Sequence, residues 1–147
     1  MDGNKSNILI IDDSETDAKI MQQALSNVMI GNTVSILNNA SDAIDLLNQK
    51  EGFKNAETPN LILLDLNMPD LNGFEFLRVV KKDPRFMHIP IIIVSGTQEK
   101  SDIIESYKLG ANCFISKPTD IAKFTSTVAV INDFWLGVAS LPEENKN

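Results

Sequence analysis

Apolar segments of the chain end abruptly at residues that can bind a cation or a phosphoryl group. The first such segment is followed by Asp12 and Asp13, the third by Asp65, the fourth by Ser95 and the fifth by Lys117. Taken singly, each has an ordinary explanation, because an Asp or Ser after a strand often caps the next helix. Taken together, three carboxylates, a hydroxyl and an ammonium form a chemically complementary set.

This combination of residue types suits phosphoryl transfer. Carboxylates held close together repel one another, and a hard divalent cation such as Mg²⁺ relieves that repulsion through oxygen ligands. Mg²⁺ takes one or two protein carboxylates and completes its shell with water and phosphate oxygens. Asp65 could then attack phosphorus to form an aspartyl phosphate, with Lys117 and Ser95 contacting the phosphoryl oxygens. The residues therefore predict a phosphoryl acceptor site.

The segments that position these residues alternate between two patterns. Short β-branched runs predict buried parallel strands at 8–11, 33–37, 61–64, 91–94 and about 114–115. Helices are predicted after Ser14, with an apolar stripe from Met21 to Met29, and over 42–50, 74–82, 100–109 and 120–136, with a loop over 49–59. This order predicts the α/β class: a doubly wound five-stranded parallel sheet, flavodoxin-like (βα)5, with strand order 2-1-3-4-5. Ligands of such sheets bind at the carboxyl ends of the strands, where the polar residues lie.

Length and composition exclude several classes of protein. A chain of 147 residues suits one domain; we expect a flexible N-terminus over 1–6, a folded domain over 7–136, and a tail over 137–147 without an output domain. A net charge of −7 argues against nucleic-acid binding. The sequence shows no signal peptide and no membrane-length apolar run, and its single cysteine, Cys113, excludes an internal disulfide. We therefore predict a cytoplasmic protein that does not bind membranes.

The polar residues also resemble a known family, the receiver domain of two-component response regulators. The resemblance rests on Asp12-Asp13, Leu63-Leu64-Asp65-Leu66-Asn67-Met68-Pro69, Gly73, Ser95 and Lys117-Pro118. The interval of 30 residues from Asp65 to Ser95 and that of 22 from Ser95 to Lys117 also match. The resemblance covers residues 7–136 and implies a signalling phosphoprotein that catalyses only its own phosphorylation and dephosphorylation.

The resemblance implies roles for the acidic residues. Asp65 would be the phosphoacceptor, taking a phosphoryl group from a phosphohistidine of a sensor histidine kinase in a phosphorelay. A Mg²⁺ or Mn²⁺ ion would be held by Asp13, by Asp65 and by the backbone carbonyl of Asn67, with Asp12 acting through a metal-bound water.

The resemblance also implies how the phosphoryl group is held and lost. Ser95 and Lys117 would contact it, and Phe114 would be the aromatic switch residue that turns inward when Ser95 moves. An ordinary core aromatic is an equally good interpretation of Phe114. Asn67 and Thr97 occupy the positions that modulate the lifetime of the phosphoryl group. Since neither is a strong general base, we expect self-dephosphorylation not to be especially fast.

Other features point to a subgroup of the family. Gly96 stands where Ala is more usual, which could open access to the site. The interval of 52 residues from Asp13 to Asp65 is long, and the excess is most simply placed in the loop over 49–59. The chain resembles stand-alone regulators that serve bacterial phytochrome kinases, through Pro59-Asn60, Phe134-Trp135-Leu136 and Leu141-Pro142.

The last predicted helix is apolar on two faces. One stripe comprises Ile121, Phe124, Val128, Ile131 and Trp135, and the second Val130, Phe134 and Val138. Such a helix is either buried more deeply than usual, here under the tail, or part of an interface. We favour a homodimer through the last helix and tail. We also expect an unidentified downstream protein as signalling partner.

Three rival functions remain open. An aspartate-nucleophile phosphatase would carry a second Asp two residues after the nucleophile, where this chain has Asn67. A phosphorylation-independent binding module of receiver type would have lost Asp65, Asp13 or Lys117, and all three are present. A flavin carrier would need a hydroxyl-rich or Gly-rich phosphate loop after the first strand, which this sequence lacks.

Overall fold

The computed structural model describes residues 6–26 and 32–142. Its strands are β1 (Asn7–Ile11), β2 (Thr33–Leu37), β3 (Leu61–Leu64), β4 (Ile91–Ser95) and β5 (Cys113–Ser116). Its helices are α1 (Glu15–Ser26), α2 (Ala40–Leu47), α3 (Gly73–Val80), α4 (Lys100–Lys108) and α5 (Ile121–Ile131), followed by a π-helical segment (Asn132–Leu136). All strands are parallel, in the order β2-β1-β3-β4-β5. The predicted fold class and strand order are confirmed.

The sheet separates two apolar layers, which explains the continuous apolar runs. Leu9 and Ile11 face the layer that contains α2 and α3, whereas Ile8 and Ile10 face the layer that contains α1 and α5. Because both faces are covered, strands β3 and β4 are buried at every position. The edge strands β2 and β5 have no fully buried residue. The rigid centre of the sheet thus carries the strand ends that bear Asp12, Asp65 and Ser95.

Helix α2 differs from its predicted range of 42–50. It begins earlier because the Asn39 side chain accepts a hydrogen bond from the backbone N–H of Asp42 at 2.8 Å, capping the first turn. It ends at Leu47, and Gln49 then adopts a positive φ of 53°, which right-handed helix excludes. In the first helix, the part of the apolar stripe at Val28 and Met29 lies outside the described residues.

The last helix is not the single helix predicted over 120–136. Regular α-helix ends at Ile131, and Asn132–Leu136 continues as one π-helical turn with Asn132 2% exposed. In the first of the two apolar stripes, Phe124, Val128 and Ile131 are buried. Trp135 is partly buried against the layer that contains α1 and α5. Ile121, in the first turn of this helix, is 66% exposed and does not belong to the buried part of the stripe.

The segment after the π-helical turn returns to the body of the domain. Leu141 packs against the layer that contains α1 and α5, and the Pro142 carbonyl accepts a hydrogen bond from Asn60 Nδ2 at 3.0 Å. Of the flexible N-terminus predicted over 1–6, residues 1–5 lie outside the described residues, and so do residues 143–147 of the tail predicted over 137–147. Within the described part of the chain, no helix has the length and apolar character needed to cross a membrane.

Candidate functional site

The carboxyl ends of four strands bring the predicted site residues to one edge of the sheet. Asp12 follows β1, Asp65 follows β3, Ser95 ends β4 and Lys117 follows β5. The register pairs Ile11 with Leu64, so the residues after them are neighbours, and the Asp65 N–H donates to the Ile11 carbonyl at 3.0 Å. Asp12, Asp13 and Asp65 offer carboxylate oxygens that lie within 4.8 Å of one another.

Lys117 is the positive centre of this cluster. Its Nζ donates to Asp12 Oδ2 at 2.7 Å, to Asp17 Oδ2 at 3.0 Å and to Asp65 Oδ2 at 3.5 Å. The Lys117 side chain is only 11% exposed, and those of Asp12 and Asp65 are 1% and 7% exposed. The ammonium therefore compensates carboxylates that have little access to water.

Burial and charge act in opposite directions on the ionisation of this pair. Burial raises the pKa of Asp12 from 3.8 to about 6, although hydrogen bonds from Lys117 and from the Ser14 N–H partly oppose the shift. Burial alone would lower the pKa of Lys117, but the hydrogen bond and charge of Asp12 and the charge of Asp65 outweigh it and raise that pKa. Lys117 thus stays charged at neutral pH, whereas ionisation of the buried Asp12 costs free energy in the folded protein.

This cost predicts a pH dependence of stability without divalent cations. Because folded Asp12 has a pKa of about 6 instead of 3.8, its contribution to stability is full below about pH 3.8 and is lost as pH rises through about 6. Relative to Asp12→Asn, the wild type should lose up to about 3 kcal/mol of unfolding free energy between pH 4 and 7. Urea titrations in chelator at several pH values measure this difference. Parallel pH profiles for the two proteins would contradict it.

Ser95 and Asn67 flank Asp65. Ser95 is fully buried, and its Oγ has no hydrogen-bond partner among residues 6–26 and 32–142. A buried hydroxyl without a partner is costly unless a ligand completes it. Asn67 has an exposed side chain, and its backbone N–H donates to Asp65 Oδ1 at 3.3 Å, which orients that carboxylate.

Thr97 and Phe114 lie in different surroundings from the acidic cluster. The Thr97 hydroxyl donates to Asp102 Oδ2 at 3.0 Å and accepts from the Glu99 N–H at 3.2 Å, so it is engaged at the start of α4. Phe114 is partly buried against the layer that contains α2 and α3. Its backbone N–H donates to the hydroxyl of Tyr107 on α4 at 3.0 Å.

The loop after β3 is held tightly against Asp65. The Gly73 N–H donates to the Leu66 carbonyl at 3.0 Å. A Cβ at Gly73 would lie 2.6 Å from the Asp65 carbonyl oxygen and 2.7 Å from Leu66 Cα. Asn72 and Glu75 form a capping box that starts α3 at this point. Gly96 is different, because a Cβ there meets nothing within 4 Å.

Sequence reasoning missed one member of the site, Asp17. Asp17 is not among the predicted site residues, yet its carboxylate contacts Lys117. A signal was present: Asp17 lies four residues before Met21, so it extends the inward-facing stripe of α1 toward the carboxyl ends of the strands. A carboxylate at such a position faces the cleft.

The donor set fits a hard divalent cation. Asp12, Asp13 and Asp65 present only carboxylate oxygens, which Mg²⁺ and Mn²⁺ accept and which softer metals bind less readily than nitrogen or sulfur. Asp13 is exposed while the other two are buried, so one side of the cluster is open to solvent. Water and phosphate oxygens could reach the cation from that side.

Comparisons with known proteins agree with this geometry. The family model of the response regulator receiver domain matches residues 8–129. Response regulator Rcp1 of Synechocystis sp. is 34% identical over 135 residues, covering 92% of this chain and 92% of Rcp1. The phosphorylated cyanobacterial phytochrome response regulator RcpA has a TM-score of 0.91 at 34% identity, over 95% of this chain and 99% of that one. The Mn(2+)-bound form of Rcp1 has a TM-score of 0.90 at 33% identity, over 94% and 99%.

These matches cover most of the chain in sequence and in structure. The family match includes strands β2 to β5, all of β1 but Asn7, and the cluster of Asp12, Asp65, Ser95 and Lys117 at the carboxyl ends of the strands. The chain belongs to the response regulator receiver domain family.

Proposed function

We propose that Asp65 accepts a phosphoryl group from a histidine kinase in a reaction that requires Mg²⁺ or Mn²⁺. The observation that carries this proposal is that the Asp65 carboxylate belongs to a group of three carboxylates that could hold a metal ion and also lies 3.5 Å from the Lys117 ammonium. Asp13, Asp65 and the Asn67 backbone carbonyl would hold the cation, and Asp12 would act through a metal-bound water. The bound cation would neutralise charge that develops on the phosphoryl oxygens.

The residues of the chain would each contribute to one displacement at phosphorus. An oxygen of Asp65 forms the new bond to phosphorus while the bond from phosphorus to the histidine nitrogen breaks, and the electron pair stays with the imidazole. Lys117, 3.5 Å from Asp65 Oδ2, is close enough to contact a phosphoryl oxygen. The unpartnered Ser95 hydroxyl could donate to another.

The outcome of phosphorylation would be a change at a protein-binding surface. Phe114 lies on β5, two residues before the residue that pairs with Ser95. When Ser95 engages the phosphoryl group, Phe114 could turn inward and alter the adjoining surface. Support comes from the partial burial of Phe114 and its hydrogen bond to Tyr107 on α4. Asn67 and Thr97 supply no strong base to activate water, so we expect self-dephosphorylation not to be especially fast.

The kinase partner is proposed to be of the phytochrome type, in the cytoplasm. RcpA is a cyanobacterial phytochrome response regulator, and another solved relative, AtBRR, is a bacteriophytochrome response regulator with a TM-score of 0.70 at 30% identity, over 94% of this chain and 98% of that one. Both cover nearly the whole of the present chain. The downstream protein is a separate partner that the switched surface would bind.

Incubation with acetyl phosphate and Mg²⁺ tests the phosphoacceptor directly. Intact mass should show one phosphoryl adduct that is stable to acid and labile to base. Asp65→Asn should reduce the adduct at least about 100-fold, because the nucleophile is lost, and a chelator should do the same. An adduct that survives Asp65→Asn, or none on a folded wild-type protein that binds Mg²⁺, would contradict the proposal; the latter result would favour a phosphorylation-independent binding module.

We also propose a homodimer through the last helix and tail. Val130, Phe134 and Val138 are 65%, 50% and 74% exposed and form one apolar strip on α5, the π-helical turn and the start of the tail. Packing of Leu141 against the core leaves this strip uncovered within the described chain.

Light scattering with and without phosphorylation measures the dimer. Val130→Asp should shift the protein to monomer by placing a charge in the apolar strip. Val79→Asp, at a 48% exposed position on α3, is the matched control and should leave the mass unchanged. A wild-type monomer in both states would rule the dimer out.

A further inference from the structure

We infer that Asp17 is a positioning residue of the phosphoryl site: it holds the Lys117 ammonium on the α1 side of the cleft and so limits its pairing with the Asp65 carboxylate, which must also receive the cation and phosphorus. This inference deepens the proposed function and rests on it, because the pairing of Asp65 with Lys117 matters only in a chain that binds a cation there. Asp17 lies within the family match but is not among the predicted site residues.

The distances show how the ammonium is shared. Lys117 Nζ lies 3.0 Å from Asp17 Oδ2 but 3.5 Å from Asp65 Oδ2. The contact with Asp17 is thus a full ion pair, whereas the contact with Asp65 is at the limit of a hydrogen bond. In this arrangement the ammonium pairs more closely with Asp12 and Asp17 than with Asp65.

Local structure at the start of α1 holds Asp17 in place. The Asp17 N–H donates to Ser14 Oγ at 3.3 Å, and the Ser14 N–H donates to Asp12 Oδ1 at 2.9 Å. These two bonds tie the first turn of α1 to the end of β1. The segment from the end of β1 to the first turn of α1 therefore positions both Asp12 and Asp17 beside Lys117.

Asp17 differs from the other two partners of Lys117 in its surroundings. It lies outside the group of three carboxylates that could share a cation. Its side chain is 33% exposed, compared with 1% for Asp12 and 7% for Asp65. The Asp17 carboxylate thus stays partly hydrated and does not need to bind the cation. It therefore remains a partner for Lys117 when Asp12 and Asp65 interact with the cation.

Loss of Asp17 should let the ammonium move toward Asp65. A positive charge there repels a divalent cation and occupies oxygens that the cation needs. We expect Asp17→Asn to weaken Mg²⁺ binding about fivefold, measured by calorimetry without any phosphodonor. Asp17→Glu should bind within about twofold of wild type, because it restores the carboxylate.

Two further variants separate this positioning role from loss of charge and from a general structural effect. Glu15→Gln removes an exposed carboxylate from the same helical turn, and should change the Mg²⁺ affinity by less than about twofold. If Asp17 acts through the lysine, Asp17→Asn should also have less than about a twofold effect in a Lys117→Met background. Circular dichroism confirms that each variant is folded.

The inference is overturned if Asp17→Asn weakens Mg²⁺ binding no more than Glu15→Gln does. It is also overturned if the effect of Asp17→Asn is as large in the Lys117→Met background, because Asp17 would then act directly on the cation. Failure of the proposed function gives a different result, because the wild type would then bind Mg²⁺ but form no adduct with acetyl phosphate. The Mg²⁺ affinities of these variants could still be measured and compared.

Discussion

Replacing Lys117 with Met should destabilise the cation-free protein by about 3 kcal/mol at pH 7 and should tighten its binding of Mg²⁺. The side chains of Asp12 and Asp65 are 1% and 7% exposed, and Lys117 is the cation that compensates them. Without it, buried negative charge has no counter-charge in the protein. A divalent cation could then take over that role, so Mg²⁺ should restore much of the lost stability.

Urea unfolding with chelator and with saturating Mg²⁺ measures this effect. Lys81→Met is the matched control, since Lys81 is also partly buried, and its Nζ donates to the carbonyl oxygens of Met87 and Ile89 and to Asn112 Oδ1. Loss of Lys81 should cost stability that Mg²⁺ does not restore. A Lys117→Met protein whose deficit relative to wild type is the same with and without Mg²⁺ would contradict the assigned role of this lysine.

Gly73→Ala should have the other large effect, a loss of about 3 kcal/mol in stability together with a much slower formation of the adduct. The new Cβ would lie 2.6 Å from the Asp65 carbonyl oxygen and 2.7 Å from Leu66 Cα. Both neighbours are backbone atoms, so no side chain can rotate to relieve the contact. Either the loop or the end of β3 must shift, and Asp65 would shift with it.

Gly96→Ala is the control for this prediction. Gly96 lies at the same edge of the sheet, next to Ser95, but a Cβ there meets nothing within 4 Å. It should change the unfolding free energy by less than about 0.5 kcal/mol and leave the affinity for Mg²⁺ unchanged. If Gly73→Ala were as stable as Gly96→Ala and formed the adduct at the wild-type rate, the close approach of α3 to Asp65 would not matter for the site.

The fold and the convergence of the polar residues at one edge of the sheet could be predicted from sequence because their signals are local. A strand buried on both faces is apolar at every position, and parallel strands place their carboxyl ends at one edge. Residues such as Asp65 and Lys117, each next to a strand end, are therefore brought together by topology alone. Their residue types then indicated phosphoryl chemistry before any distance was known.

Contacts set by the packing of helices could not be predicted in this way. The pairing of Asp17 with Lys117 joins residues 100 positions apart, and its 3.0 Å distance depends on how α1 packs against the end of β5. The exposure of Ile121 and the π-helical turn at Asn132 likewise depend on where α5 passes the edge of the sheet. A helical period states which residues share a face, but not where along the helix that face meets the core.

The sequence by itself therefore determined the order of the elements and the chemistry collected at their carboxyl ends, since both follow from short-range patterns. Only the tertiary structure shows how closely the Lys117 ammonium approaches Asp12, Asp17 and Asp65. It also shows that a side chain at position 73 would collide with the backbone of Asp65 and Leu66. The physical reason is that steric repulsion changes steeply over a few tenths of an ångström and that hydrogen-bonded ion pairs need close contact distances. Such distances arise only when distant segments pack together.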